Sequence, residues 1–265
     1  MSFFTTCPFC DGSLISWWLR PSFSKCRVCR LVLRNPSPEP EPLAEHYAES
    51  WSDPDAHLNE TGGMDFGLAT QYTRDLLKSL GLSDAVGLRI LDFGAGRGFL
   101  MSALAAAGAT VWGIEPYGFD GLRAQGQTVF RTLEALPPGL AFDGIVSMDV
   151  LEHLYQPWHS IAALARLLVP GGWLCLSTPN PRGLNARLMQ SRWRETHNQG
   201  HLMFMEEYCL MMMLKQANLS RGKGVRWSIR HQNSLVRHGV QRLLERVGLG
   251  GTVRVIAVGG DSGVP

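Results

Sequence analysis

From residue 88 onward the chain alternates short apolar runs with amphipathic stretches, and this alternation predicts its architecture. The runs at 88–93, 110–114, 142–148 and 173–178 lack the in-out alternation of a half-exposed strand, so they predict strands buried on both faces. Apolar residues at helical spacing predict helices near 99–107, 157–168 and 206–217, and two final strands at 225–229 and 252–258 flank a further helix at 234–247. Buried strands separated by helices imply an α/β fold, a doubly wound and mostly parallel sheet.

The chain ahead of residue 88 is patterned differently. Leu43, Tyr47, Trp51, Leu68, Tyr72, Leu76 and Leu77 fall at helix-like spacing, interrupted by Gly62 and Gly63, which predicts a helical lid with a mobile loop over 43–86. Pro36, Pro38, Pro40 and Pro42 alternate along 35–42 and enforce an extended, semi-rigid linker. The main domain is then expected over 87–260, and residues 1–34 form a separate module.

That module is read from its cysteines. Cys7 with Cys10 and Cys26 with Cys29 are two CxxC pairs fifteen residues apart. Each knuckle can place two thiolates on one tetrahedral ion, and the intervening residues suffice for a hairpin, so the pattern predicts a zinc ribbon. Paired disulfides suit an oxidising compartment, and a redox role needs one CxxC at a helix start rather than two matched pairs. Four protein ligands leave no open position on the metal, so the zinc is structural. Cys175 and Cys209 lie in apolar runs and are expected in the core.

At 265 residues, 45% hydrophobic and 18% charged, the chain can bury one sizeable core beside such a module. It lacks an apolar run of the roughly 18 residues that a membrane span needs, and its start lacks a signal-peptide pattern, so a cytoplasmic location is expected. The net charge of +2 hides a split: residues 1–180 carry 12 basic and 18 acidic side chains, residues 181–265 carry 13 and 5. The basic third suits solvated helix faces or a surface for an anionic partner.

The most informative stretch is Asp92-Phe93-Gly94-Ala95-Gly96-Arg97-Gly98, where a predicted strand enters a glycine turn and leaves as a helix. Backbone amides in such a turn face a ligand that side chains would block. The spacing GxGxG differs from the GxGxxG of dinucleotide sites. Asp92, at the strand end, would repel a pyrophosphate but suits the ammonium of a methionine moiety. The next strand ends at Glu115 and Pro116, with an acid placed to bind ribose hydroxyls. A cationic nucleoside, S-adenosylmethionine (SAM), fits this charge better than anionic NAD.

These segments resemble the motifs of class I SAM-dependent methyltransferases over roughly residues 88–220. The stretch from Phe142 to His153, with Met148, Asp149 and Glu152, is similar to the family's fourth-strand block; Leu168, Pro170, Gly171 and Gly172 resemble the turn before its fifth strand. The wording Asp149-Val150-Leu151-Glu152-His153 resembles the subgroup containing ubiquinone-biosynthesis O-methyltransferases. The resemblance implies a Rossmann-like sheet of seven strands. It also implies that Asp92, Gly94 and Gly96 hold the methionine end of SAM, and that Glu115, followed by Pro116, holds the ribose. Leu133 would lie beside the adenine, and Met148 and Asp149 would border the sulfonium. Ala95 stands where many members have Cys, and Thr132 where an acid is common.

Methyl transfer needs an in-line approach to the sulfonium carbon and often a base for the acceptor's proton. The segment leaving the fifth strand holds Trp193, His197, His201 and Phe204, similar to a pattern that caps the acceptor pocket in the same subgroup. His201 is the first candidate for a general base or acceptor contact, with His153 and His197 behind it; the alternative is a histidine that shapes the loop. The methionines at 203, 205 and 211–213 read as core filler. The sequence therefore predicts a SAM-dependent methyltransferase acting on an oxygen of a small-molecule or glycan acceptor. Two alternatives stand beside it: an RNA methyltransferase that docks its substrate through the ribbon, and a non-catalytic SAM-binding interaction protein. Sugar C-methyltransferases also carry such a ribbon, but with a large further domain for which 265 residues leave no room. Acceptor identity and oligomeric state are not encoded in these motifs.

Overall fold

A computed structural model of the chain describes residues 3–17, 22–40, 45, 64–219, 221–227 and 235–259. Leu43, Tyr47, Trp51, Gly62 and Gly63 of the expected lid lie outside the described residues, as do the last two positions of the proline linker. The cysteine module contributes three short strands, β1 (Leu14–Ser16), β2 (Phe23–Cys26) and β3 (Val32–Arg34). Helix α1 (Phe66–Leu80) follows, capped by Asp65, whose carboxylate accepts the Leu68 N–H, and closed by Gly81 at φ 77°. Its buried positions, Ala69, Tyr72, Thr73, Leu76 and Leu77, form the stripe that packs on the main domain.

The main domain then runs β4 (Arg89–Phe93), α2 (Phe99–Ala106), β5 (Thr110–Ile114), α3 (Phe119–Ala124), β6 (Val129–Phe130), β7 (Phe142–Met148), α4 (Pro157–Arg166) and β8 (Leu168–Pro179). It continues through α5 (Leu184–Met189), β9 (Met203–Phe204), α6 (Glu207–Gln216), β10 (Arg221–Gly224), α7 (Leu235–Arg246) and β11 (Thr252–Val258). Seven strands make one sheet in the order β10-β11-β8-β7-β4-β5-β6. The five strands from β8 to β6 are parallel, and β11 runs antiparallel to both β8 and β10. The chain winds outward from β4 through β5 to β6, then restarts at β7 on the other side, so the switch point lies between β4 and β7. In such sheets a ligand crevice opens outside the carboxyl ends of the strands at that point.

The expected doubly wound, seven-stranded fold is present, with two boundary corrections and one register correction. The helix expected over 157–168 ends at Arg166, and 168–172, read as the turn before the fifth strand, belong to β8. The last-but-one strand is Arg221–Gly224, not 225–229. Val225 keeps one hydrogen bond to β11, donating its N–H to the Arg254 carbonyl at 2.9 Å, and the β-former Trp227 is buried off the strand; the Trp227 ring lies 5.6 Å from that of Tyr72, and its indole N–H donates to Ser79 Oγ at 3.0 Å. Packing against α1 outweighed strand propensity here, because propensity largely reports the packing of the host site. Ser228 and Ile229 lie outside the described residues.

The second sheet joins distant parts of the chain. Its order is β1-β2-β3-β9, with Val32 opposite Phe204 and Leu33 opposite Met203. The cysteine module thus completes its sheet with a strand from the segment that follows β8. Beneath it Trp17, Phe23 and Val32 share an apolar cluster with Ala186, Trp193 and Phe204. Trp193 and Phe204 rings are 4.8 Å apart, and Phe9 of the module packs on Trp158 of α4 at 5.5 Å.

Candidate functional site

At the carboxyl end of β4 the chain turns through three glycines with positive φ: Gly94 at 83°, Gly96 at 57° and Gly98 at 74°. A Cβ at Gly94 would meet Val150 at 2.3 Å, so that position is closed by packing. A Cβ at Gly96 would meet nothing within 4 Å, so the backbone there borders an open cradle. Asp92 sits beneath it, 2% exposed, and its Oδ2 has no hydrogen-bond partner. Burial first, then the neighbouring Glu115 carboxylate, pushes its carboxyl up to about 7. A buried, unpartnered acid beside an open glycine turn is a receptor waiting for a donor, and a ligand ammonium would supply it.

Glu115, at the end of β5, is buried and accepts N–H groups from Gly96 at 2.8 Å, Tyr117 at 2.9 Å and Gly118 at 3.1 Å. Those bonds hold its carboxylate at the rim of the same turn. Pro116 is exposed beside it, and its carbonyl accepts from Arg131. Leu133 is half-buried and opens a single 3₁₀ turn after β6. Met148 ends β7 nearly buried, and Asp149 follows at φ 55°, exposed, with Oδ1 accepting the Ser177 hydroxyl at 2.9 Å. All of these residues lie on segments leaving the carboxyl ends of β4, β5, β6 and β7, where the crevice opens. The buried negative charge and the open cradle fit the cationic methionine end of SAM, and bound SAM would supply an electrophilic methyl group there.

The three candidate histidines differ in setting. His201 is 5% exposed; its Nδ1 lies 3.1 Å from the Glu195 carbonyl and its Nε2 lies 3.2 Å from the Asn198 amide nitrogen. Burial, then the neighbouring His153, pushes its imidazole down to about 2, so it is neutral across physiological pH. His153 is half-buried, contacts the Gly200 carbonyl through Nδ1 at 3.0 Å, and meets the His201 ring edge-on at 4.7 Å. His197 is exposed, with Nε2 against the Ser191 carbonyl. Glu152 is buried beside the first two, accepts the Thr178 hydroxyl at 3.0 Å, and leaves Oε1 without a partner; burial raises its carboxyl well above the usual range. Ligand atoms of Glu152, His153 and His201 lie within 4.8 Å of one another.

The four cysteines converge as their spacing predicts. Cys7 and Cys29 sulfurs are 3.5 Å apart, as are those of Cys10 and Cys26, and all four lie within 4.8 Å of one another. Zinc–sulfur bonds of about 2.3 Å in a tetrahedron place sulfurs nearly 4 Å apart, so the site fits zinc with four thiolates. The Cys29 thiol is also pushed up by Cys209, first of all, which places that buried residue of α6 against the metal site. Cys175 is buried in β8.

Sequence reasoning missed what fastens this module to the site. Arg34 donates from Nε to the His201 carbonyl at 3.2 Å and from Nη2 to the Asn198 carbonyl at 2.9 Å, and its own N–H meets the Leu202 carbonyl at 2.7 Å. The Leu202 N–H in turn donates to the Glu152 carbonyl at 2.7 Å. The loop that carries His201 is therefore strung between the ribbon and the end of β7. Also unforeseen is Arg254 of β11, 1% exposed, which donates to the Tyr72 hydroxyl at 2.9 Å.

This sheet order, with an acidic glycine turn at the switch point, is the architecture of SAM-dependent methyltransferases. The chain belongs to the family described as methyltransferase domain, whose pattern matches residues 66–220. Among curated proteins it resembles a ubiquinone biosynthesis O-methyltransferase of Paracidovorax citrulli, 35% identical over 114 residues, 38% of this chain and 47% of that protein. The corresponding protein of Dinoroseobacter shibae is 34% identical over 154 residues, 51% of this chain and 61% of its own. The chain thus spans about half the length of the curated relatives it matches. A solved structure with the same fold is a Burkholderia thailandensis 1,6-didemethyltoxoflavin-N1-methyltransferase bound to its namesake ligand and S-adenosylhomocysteine (TM-score 0.56, 16% identity, 92% of this chain and 98% of that one). Among the described residues no helix is long and apolar enough to cross a membrane.

Proposed function

We propose that the protein transfers the methyl group of SAM to an oxygen of a small-molecule or glycan acceptor. The observation that carries this reading is Asp92, buried and unpartnered beneath the open cradle at Gly96, with Glu115 at its rim. Asp92, Gly94 and Gly96 would hold the methionine end, Glu115 with Pro116 the ribose, Leu133 the adenine face, and Met148 and Asp149 the surroundings of the sulfonium. The likeness to ubiquinone-biosynthesis O-methyltransferases supports oxygen as the acceptor atom.

The acceptor hydroxyl must lose a proton during attack. His201, the first candidate from sequence, is neutral and has both ring nitrogens engaged, which favours its role as a loop-shaping residue. His153, half-buried and packed against it, is the better placed proton acceptor, and exposed His197 is third. Zinc on Cys7, Cys10, Cys26 and Cys29 holds structure and takes no part in the chemistry. Thiolate ligands of this kind suit a reducing compartment such as the cytoplasm.

Titration calorimetry with S-adenosylhomocysteine tests the cofactor reading. Tight NAD uptake with no response to S-adenosylhomocysteine would overturn it. Incubating the protein with SAM and a metabolite extract tests turnover: release of S-adenosylhomocysteine with a product one methyl heavier supports the enzyme, and binding without release leaves an interaction protein. An RNA acceptor is favoured only by the basic surface near the ribbon, and salt-dependent RNA binding discriminates it.

A further inference from the structure

Between the ribbon and the segment that leaves β8 lies a cleft of about 810 Å³. Lys25, Arg27 and Arg30 line it from the ribbon, and Arg182 and Arg187 from the other side. Among the described residues that line it, one carboxylate, Glu206, faces these five cations, leaving an excess of four positive charges. Glu206 is 3% exposed; it pairs with Lys25 and lies 3.7 Å from Arg30 and 3.9 Å from Arg182. A single carboxylate cannot neutralise three cations, and Arg27 and Arg187 are exposed with no acidic partner among the described residues.

Like charges gathered in a recess repel one another, and they do so more strongly there than on a convex surface, where water screens them. A fold that assembles them from two segments over 150 residues apart stores an electrostatic cost that a bound anion would recover. Glu206 contributes by holding Lys25, Arg30 and Arg182 in place, so less side-chain freedom is lost when a ligand arrives. Four of the five cations are guanidinium groups, whose planar forks match the oxygens of a phosphate. An excess of four charges suits a polyanion better than a carboxylate. The volume lies in the range of small-molecule pockets, roughly 300 to 1,000 Å³, which favours a compact ligand over a nucleic-acid strand or a membrane plane.

We propose that this cleft binds a small molecule through its phosphate or pyrophosphate group. The site stands on its own geometry, whether or not the ligand is also the methyl acceptor. Calorimetry on the zinc-loaded full chain, with inorganic pyrophosphate as probe at constant ionic strength, tests it. Saturable one-to-one binding is expected, weakened about tenfold or more by the double substitution Arg27→Ala with Arg187→Ala. Neither arginine has an acidic partner to lose among the described residues, so zinc content and S-adenosylhomocysteine affinity should be unchanged. Arg123→Ala with Arg242→Ala removes equal charge from exposed positions elsewhere and should leave pyrophosphate binding intact. Absence of saturable binding, or an equal loss in that control, overturns the site. So does binding of a short RNA duplex or of phosphatidylglycerol vesicles that needs Arg27 and Arg187 while pyrophosphate does not bind.

Discussion

The glycine turn and the ribbon seam are built on opposite principles. The turn is acidic and local: Asp92, Gly96 and Glu115 fall within two successive strand ends of one sheet, and the two carboxylates lie close enough to raise the pKa of Asp92. The seam is basic and assembled at long range: residues 25–34 meet residues 182–206 through one shared strand pair, one apolar cluster and the Arg34 hydrogen bonds. The first arrangement suits a cationic ligand and the second an anionic one. The difference teaches that the zinc module is structurally tied to the loop that holds His201, because its third strand supports that loop.

The comparison breaks most sharply at the cofactor turn. Gly96→Arg forces a side chain into left-handed backbone and fills the cradle, so calorimetry should find S-adenosylhomocysteine binding weakened at least about a hundredfold, with zinc content unchanged. Chelation of the zinc, or Cys26→Ser, should do the reverse. Methyl transfer should fall to near background while the cofactor turn still binds, and hydrogen exchange should rise first in residues 3–34 and then around 198–204. Arg34→Met should keep zinc and cofactor affinity but lower turnover roughly tenfold, since it removes two charge-assisted bonds to the His201 loop. If that variant turns over normally, the seam does not support the acceptor side. His201→Ala should spare cofactor affinity and reduce turnover severalfold, through loss of the loop's shape.

The smallest expected effect is a pH dependence. With Asp92 pushed up to about 7, the free protein carries it partly protonated at neutral pH, whereas a bound ammonium favours the carboxylate. S-adenosylhomocysteine affinity should therefore rise severalfold from about pH 6 to about pH 8, and the rise should vanish in Asp92→Asn. The sign for stability is opposite. A carboxyl raised in the fold favours its protonated form, so its stabilising contribution is lost as pH climbs from the unfolded value through about 7. Urea melts should find Asp92→Asn more stable than the parent at about pH 8 and no more stable at about pH 4.

Much of this was legible in the chain. The strands at 110–114, 142–148 and 252–258 match the structure residue for residue, because strands in the middle of such a sheet are predominantly apolar and lack a polar face. The cysteine knuckles, the glycine turn and the acid ending β5 are equally local. The strand Arg221–Gly224 was not legible, since its two glycines and two cations carry no strand signal, and only its pairing with β11 makes it one. The two-residue strand β9 is likewise defined by its partner. His201 attracted attention for an imidazole that titrates near neutrality, but burial against His153 takes that property away.

The sequence by itself determined the central strands of the sheet, the cysteine cluster and the acidic turn, because each depends on neighbours within a few residues or on runs of buried positions. Tertiary structure alone decided which side of the domain the ribbon would cover, which histidine would stay neutral and where the cations of the cleft would gather. Those properties depend on desolvation and on charges brought together across more than 150 residues, and no local pattern encodes either.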